Sequence, residues 1–350
     1  MPSKLKTPSI ALVIFISCAA LAPRTPQPPA GKPEPAAKAR ALVSKGKPEL
    51  VGVKKISDEA QHSAFTDLAF YKDRWFCTFR EGAEHVSPDG SICILESADA
   101  EKWERAARLT SADGDLRDPK LSITRAGRLM LSAAIALPKA GGAKEHRNYV
   151  WFSEDGRKWS DPIQVGDVNV WLWRVIWHGP KAYGVGYGTA KPFARLYQSD
   201  DGTDFTPIVK SLFEDGQPNE AGLTFLEDET MLCLLRRDQK GAATAQLGSA
   251  RPPYTQWIWQ DLGMKVGGPT LLRLPDGRIV AACRLYEPTI HTALCWLDPV
   301  AGTLTPFQKL PSSGDTGYPG LVFRGNLLRV SYYSSHEGKT SIYLATVKFQ

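Results

Sequence analysis

The chain has 350 residues, with 43 Lys and Arg against 37 Asp and Glu, for a net charge of +6. Residues 1–60 hold ten basic and four acidic side chains, which accounts for the whole excess, so the rest of the chain is neutral and lacks the electrostatic footprint of a nucleic-acid binder. Six cysteines without any Cys-x-x-Cys spacing argue against both a disulfide framework and a zinc knuckle.

In chain order, residues 1–22 have the layout of an export signal, with Lys4 and Lys6 ahead of an apolar run from Ile10 to Leu21 that is too short to span a bilayer. The expected location is therefore outside the cytoplasm. Ile16-Ser17-Cys18 has the form of the end of a bacterial lipobox, which would lipidate Cys18 and attach the chain to a membrane; the alternative is an ordinary signal-peptide residue. Residues 23–48 are rich in Pro, Ala and Lys, with few large apolar side chains, and read as an extended, disordered tether.

From residue 49 to residue 350 the sequence repeats. Alternating apolar runs broken by turn residues predict a hairpin about every fifty positions, and the last large apolar residue before each turn is Phe70, Ile123, Trp177, Phe225, Leu274 or Phe323. Repeats of that length with two-residue alternation predict an all-β fold, a six-bladed β-propeller of four-stranded antiparallel blades. The cysteines beyond Cys18 all sit in apolar strand contexts and are expected as buried free thiols, although Cys77 and Cys93, or Cys283 and Cys295, could face one another across neighbouring strands. No feature calls for an oligomer, and a monomer is expected.

Five residues before each hairpin anchor stand Phe65, Asp118, Leu172, Glu220, Pro269 and Tyr318; ten or eleven after it stand Arg80, Ala133, Tyr187, Arg236, Arg284 and Tyr333. Both positions lie at the same end of the innermost hairpin, so they should converge on one mouth of the central channel. Like charges forced together cost energy unless an anion is present, and planar guanidinium groups clamp carboxylates through paired hydrogen bonds. Arg80, Arg236 and Arg284 thus predict an anionic ligand, most simply a carboxylate. Tyr318 is a weak nucleophile unless a base removes its proton, a task for Glu220 if the two are within hydrogen-bond reach. Asp118 could contact a substrate hydroxyl or hold a neighbouring arginine, and Arg174 lies in the same band with its facing left open. Trp171, Trp173 and Tyr187 could form a wall for sugar stacking.

Three short stretches, Ser97 to Trp103, Ser153 to Trp159 and Ser199 to Phe205, each place Ser, Asp and an aromatic residue around a turn. They resemble the Asp-box of sialidases, with Ala100 standing where glycine is expected in the first. Together with the Glu220 to Arg236 spacing, the Tyr318 to Leu321 stretch and the three blade-end arginines, residues 60–350 resemble the sialidase (neuraminidase) superfamily. The resemblance implies that Arg80, Arg236 and Arg284 hold a substrate carboxylate, that Tyr318 is the nucleophile and Glu220 its partner, and that the acid lies on the loop after Arg80. Asp89 is the nearest match on that loop, with His85, Glu81 and Glu84 as alternatives. The arginine sits in Phe79-Arg80-Glu81-Gly82, where the family has an Arg-Ile-Pro form.

The expected activity is that of a retaining exo-glycosidase releasing a terminal acidic sugar, most simply sialic acid, from a glycoconjugate without metal or cofactor. The alternatives are a non-catalytic propeller that binds acidic glycans, and a glycosidase or lyase for a uronic-acid polysaccharide.

Overall fold

The computed structural model describes residues 46–139, 142 and 144–350. The expected export signal, Cys18 and the expected tether up to residue 45 lie outside the described residues. The unit Gly46–Gln350 consists of twenty-four strands in six four-stranded antiparallel sheets. After β1 (Glu49–Ser57), the first blade is β2 (His62–Tyr71), β3 (Arg74–Gly82), β4 (Ser91–Ser97) and β5 (Glu104–Leu109). The second is β6 (Asp115–Ile123), β7 (Leu129–Pro138), β8 (Lys144–Ser153) and β9 (Ile163–Val165); the third is β10 (Val170–His178), β11 (Lys181–Gly188), β12 (Ala194–Ser199) and β13 (Thr206–Phe213). The fourth is β14 (Pro218–Phe225), β15 (Met231–Arg237), β16 (Gln246–Ala250) and β17 (Ile258–Asp261), and the fifth is β18 (Val266–Arg273), β19 (Ile279–Leu285), β20 (His291–Asp298) and β21 (Thr303–Lys309). The sixth is β22 (Thr316–Arg324), β23 (Leu327–Ser334) and β24 (Ser341–Lys348), closed by β1, which pairs with β24 from Glu49 opposite Lys348 to Ser57 opposite Ile342. The ring is therefore closed by the two ends of the folded unit.

Each hairpin turn predicted at an anchor residue is present: Phe70 pairs with Trp75, Phe225 with Met231 and Phe323 with Leu328. Inner strands are buried on both faces, and glycine lets them approach. A Cβ on Gly222 would meet the backbone of Pro269 and Thr270 on the next blade at 3.1 Å, and one on Gly320 would press into the backbone of Asp67 and Leu68. Buried polar groups tie the blades together around the axis. Asp67 accepts hydrogen bonds from the Leu121 amide (2.9 Å) and from Arg174 (2.8 Å), while Thr66 donates to the Tyr318 carbonyl (2.9 Å). Lys120 donates to the carbonyls of Thr66 and Pro119, and its burial lowers its pKa to about 8.

The three Ser–Asp turns share one hydrogen-bond pattern. Ser97, Ser153 and Ser199 hydroxyls accept from the amides of Ala100, Gly156 and Gly202, and Asp99, Asp155 and Asp201 carboxylates accept from the two amides beyond. Those bonds lower the Asp99 pKa to about 2, leaving it a poor proton donor. The five described cysteines are buried free thiols, and the neighbouring Cys295 together with burial pushes the Cys283 thiol well above its ordinary range.

Candidate active site

One backbone irregularity positions the site. In four blades, two residues of the innermost strand are left over in the pairing at the mouth end: between Ala64 and Asp67, Arg117 and Lys120, Gly267 and Thr270, and Gly317 and Gly320. The first leftover residue always has a positive φ: Phe65 (63°), Asp118 (53°), Gly268 (54°) and Tyr318 (51°). Such bulges bend a strand and re-aim a side chain. In the fourth blade the leftover residues are Asn219 and Glu220, and in the third only Trp173. Five of the rim positions expected from the repeat, Phe65, Asp118, Glu220, Pro269 and Tyr318, are thus bulge residues. In the fifth blade the left-handed residue is Gly268 instead of Pro269, because the proline ring holds φ negative. In the third, one extra residue instead of two moves the irregularity from Leu172 to Trp173.

The bulges bring Tyr318 and Glu220 together from blades six and four. The phenol donates to Glu220 Oε1 at 2.6 Å; Glu220 Oε2 accepts from Arg236 Nη1 at 2.6 Å and from the Gly268 amide at 2.8 Å. Arg236 Nη1 also donates to the Tyr318 hydroxyl at 3.1 Å, and the Arg284 guanidinium lies 5.2 Å from the centre of the Tyr318 ring. Burial, reinforced by the Glu220 carboxylate, pushes the phenol pKa well above its ordinary value, against the opposing pull of Arg236 and Arg284. The resting tyrosine is therefore a neutral donor with its acceptor in place.

Around this pair lies a pocket of about 240 Å³ whose wall includes Phe65, His85, Arg117, Asp118, Trp171, Tyr187, Glu220 and Tyr318. Trp171 and Tyr187 stack in parallel at 6.1 Å, with the His146 ring 5.2 Å from Trp171. Asp118 is buried, its Oδ1 has no hydrogen-bond partner, and burial raises its pKa, with Glu220 adding to the effect and Arg117 and Lys120 opposing it. A carboxyl group in such surroundings tends to keep its proton. Arg117 donates to the His85 carbonyl (2.9 Å) and to Asp115 (3.1 Å) and lies over the Phe65 ring.

His85 reaches the wall from the loop after β3. Its Nδ1 lies 2.7 Å from Asp315 Oδ2, and His62 Nε2 lies 3.0 Å from the same oxygen, while Tyr333 donates to Asp315 Oδ1 at 2.9 Å. Burial alone would raise the Asp315 pKa, but the bonds from His62 and His85 hold it well below the usual carboxylate range. These two histidines and Asp315 are the one group among the described residues whose ligand atoms, within 4.8 Å of one another, could hold a metal ion. The carboxylate already serves both rings, and Arg284 stands 3.5 Å from its other oxygen, so positive charge is supplied by the protein itself.

Three expected site residues sit elsewhere. Arg80 is wholly buried and spends its guanidinium on Asp115 (2.7 Å), the carbonyls of Glu84 and Ser87, and the Ser87 hydroxyl, clamping the 83–90 loop from within. Arg174 is bound to Asp67 and to the Pro319 carbonyl (3.2 Å), beneath the mouth. Asp89 is exposed; it accepts from the Ala83 amide, and its pKa is lowered chiefly by the Ser87 hydroxyl, the behaviour of a turn residue. The arginines grouped around Tyr318 are Arg236, Arg284 and Arg117. His62, Arg117, Asp315, Lys144 and His146 were not singled out from the sequence. The signal for part of this set was an offset: His62, Asp115 and Asp315 each stand three positions before a bulge residue, where Asp115 holds Arg80 and Arg117 and Asp315 holds His62 and His85.

No protein-family model matches the chain, and no curated protein matches it in sequence. Solved structures do match in shape. A protein of unknown function from Dyadobacter fermentans superimposes with a TM-score of 0.77 at 19% identity, over 87% of this chain and all of that one. The Trypanosoma rangeli sialidase, in complex with the inhibitor DANA, gives 0.64 at 11% identity over 82% of this chain and 55% of its own, so the present chain spans about half its length. An α-L-arabinofuranosidase from Fusarium graminearum gives 0.64 at 11% identity over 87% and 98%. At these identities the comparisons establish one thing: the chain has the propeller fold that sialidases and α-L-arabinofuranosidases share.

Proposed function

We propose that the chain is a glycoside hydrolase that removes a terminal acidic sugar with retention of configuration. The observation that carries this reading is the 2.6 Å hydrogen bond from the Tyr318 hydroxyl to Glu220, flanked by Arg236 and Arg284. Glu220 takes the phenolic proton as the Tyr318 oxygen attacks the anomeric carbon. The bond from that carbon to the leaving oxygen breaks, and Asp118 supplies the proton that oxygen needs. In the second half, the Asp118 carboxylate takes a proton from water, water displaces the tyrosine, and Glu220 returns the proton to the phenolate. Arg284 and Arg117 retain unspent N–H groups for a sugar carboxylate, and Trp171 with Tyr187 walls the ring. A tyrosine nucleophile is the known departure of sialidases from the two-carboxylate scheme, and sialidases are among the proteins of like fold.

The test is hydrolysis of an aryl α-sialoside by the parent beside Tyr318→Phe, Glu220→Gln and Arg284→Ala. Loss of kcat by at least ~10³-fold for the tyrosine, by ~10²–10⁴-fold for the glutamate, and a KM raised roughly tenfold or more for the arginine are expected. A Tyr318→Phe protein that keeps its rate would sink the mechanism.

A second reading has its own observation. With Arg80 withdrawn, each arginine at the mouth already faces a carboxylate: Arg236 faces Glu220 and Asp238, Arg284 faces Asp315, and Arg117 faces Asp115. Such a balance suits a neutral sugar, with Glu220 as nucleophile and Asp118 as acid, in a protein whose fold is shared with an α-L-arabinofuranosidase. Turnover of an aryl α-L-arabinofuranoside, with none of the sialoside, would select it.

A further inference from the structure

Lys120 stands two positions after Asp118 on β6, where pairing with β7 resumes beyond the bulge, and it is 1% exposed. The mechanism above gives it no task, yet a buried ammonium group is costly unless its charge is answered. Its hydrogen bonds answer that charge only in part. They run to the carbonyls of Thr66 (3.3 Å) and Pro119 (3.2 Å), with the Trp173 ring centre 4.9 Å away, and neither bond reaches a carboxylate.

Three carboxylates act on Lys120 through space, Asp118, Asp67 and Glu220, against the repulsion of Arg174. Two of them are already committed. Asp67 spends its oxygens on Arg174 and the Leu121 amide, and Glu220 accepts from Tyr318, Arg236 and the Gly268 amide. Asp118 is the exception, because its Oδ1 is turned into the protein, away from solvent, without a hydrogen bond. We propose that Lys120 is the counter-charge for the carboxylate that Asp118 becomes once it has given its proton to the leaving oxygen, so that Lys120 sets the strength of the acid. The inference rests on the reading of Asp118 as proton donor. Lys120 touches no substrate and works through Asp118, as a positioning residue.

The charges of the reaction suit a fixed cation at this place. At rest Glu220 is negative and Asp118 holds its proton. When Tyr318 passes its proton to Glu220 and Asp118 passes its own to the leaving oxygen, Glu220 becomes neutral and Asp118 negative; the second half reverses both. Lys120 feels both carboxylates, so one of the two is charged at every stage. Of the other groups facing Asp118, Arg117 and His85 also favour its anion and Glu220 opposes it. Arg117, however, is paired with Asp115 (3.1 Å) and His85 with Asp315 (2.7 Å), whereas the hydrogen bonds of Lys120 stop at carbonyls. Burial and Arg174 lower the Lys120 pKa only to about 8, which leaves it charged at neutral pH.

The experiment is the pH dependence of kcat for the full chain on the methyl α-glycoside of N-acetylneuraminic acid, or of L-arabinofuranose if that is the sugar the parent turns over. The 4-nitrophenyl glycoside, whose leaving group needs no proton, is run beside it. Lys120→Gln keeps donors for the two carbonyls and loses the charge. Because the cation lowers the Asp118 pKa, its loss should move the alkaline limb for the methyl glycoside upward by about one pH unit. Below that limb kcat should fall roughly three- to tenfold, with a smaller loss for the 4-nitrophenyl glycoside. Lys120→Arg, which keeps the charge, should hold the limb where the parent has it, and in an Asp118→Asn background Lys120→Gln should add nothing. A limb lost in Asp118→Asn but unmoved in Lys120→Gln, or one displaced in Lys120→Arg, would overturn the role of Lys120 and leave the mechanism standing. A limb that persists in Asp118→Asn, or no turnover of either sugar, would remove the assigned acid and the proposal with it.

Discussion

Asp118 and Glu220 share one pocket in opposite states of satisfaction. Glu220 accepts three hydrogen bonds, from Tyr318, Arg236 and Gly268, whereas Asp118 Oδ1 accepts none. Because burial raises the Asp118 pKa, its acid form persists above the ordinary carboxylate range, and activity should decline only as pH passes that raised value. Asp118→Asn should lower kcat for poor leaving groups by ~10²–10⁴-fold, spare activated aryl leaving groups, and abolish the alkaline limb of the pH profile. Stability follows the same sign: the folded state holds this proton more tightly than the unfolded chain, so its contribution is complete below pH ~3.9 and is lost as pH rises through the raised value. The variant should therefore gain on the parent in urea melts as pH increases, and a pH-independent difference would contradict that account. Arg80 presents the reverse case, a buried charge with every neighbour satisfied. Removing it leaves Asp115 Oδ1 and the carbonyls of Glu84 and Ser87 without their donor, so Arg80→Ala should cost about 3 kcal/mol or more by chemical denaturation; unchanged stability together with a tenfold higher KM would return Arg80 to the substrate clamp. The sequence placed Arg80 in register with Arg284, and the register is right: each pairs with the residue just before its blade's bulge, Arg80 with Ala64 and Arg284 with Gly267. What a single strand could not display is Asp115, thirty-five positions later on the neighbouring blade, which captures the guanidinium.

At the scale of the element, the Ser–Asp turns show how one repeat tolerates different residues. Ala100 occupies a left-handed turn position (φ 62°) where the second and third copies have Gly156 (76°) and Gly202 (81°). A left-handed alanine costs roughly 1 kcal/mol, so Ala100→Gly should stabilise by up to that amount, less the burial of one methyl group. Gly156→Ala should do the opposite and more strongly, because its Cβ would enter the Phe76 ring of the preceding blade. Thermal melts of the two variants moving in the same direction would refute the argument. The hairpins themselves were legible because alternation and turn residues are local properties. Bulges were not: a leftover residue is defined only by its partner strand, which is why Phe65, Asp118 and Tyr318 could be placed at the rim without the left-handed backbone that aims them, why Leu172 fell one residue short of the irregularity, and why Pro269 fell one residue past the left-handed position of its bulge.

The whole molecule explains the remaining gap between sequence and site. A fifty-residue period announces the blades, but the contacts that assemble the mouth are between blades: Tyr318 to Glu220, Arg174 to Asp67, and His85 to Asp315 are separated by 98, 107 and 230 positions. Only the closed ring makes them neighbours. That closure depends on β1 filling the outer edge of the last blade, and a side chain on Gly46 would collide with Gln350. The backbone entering the ring and the backbone leaving it are therefore adjacent, and the order in which the blades are read is incidental to their packing. A circular permutant with residues 46 and 350 joined by a short glycine linker, and new ends opened in the exposed turn at Asp276-Gly277, should fold and keep the pocket intact. Its far-ultraviolet spectrum and unfolding midpoint should match the parent's, and a permutant that collects as insoluble chain would mean that β1 must be joined directly to β2 for the ring to form.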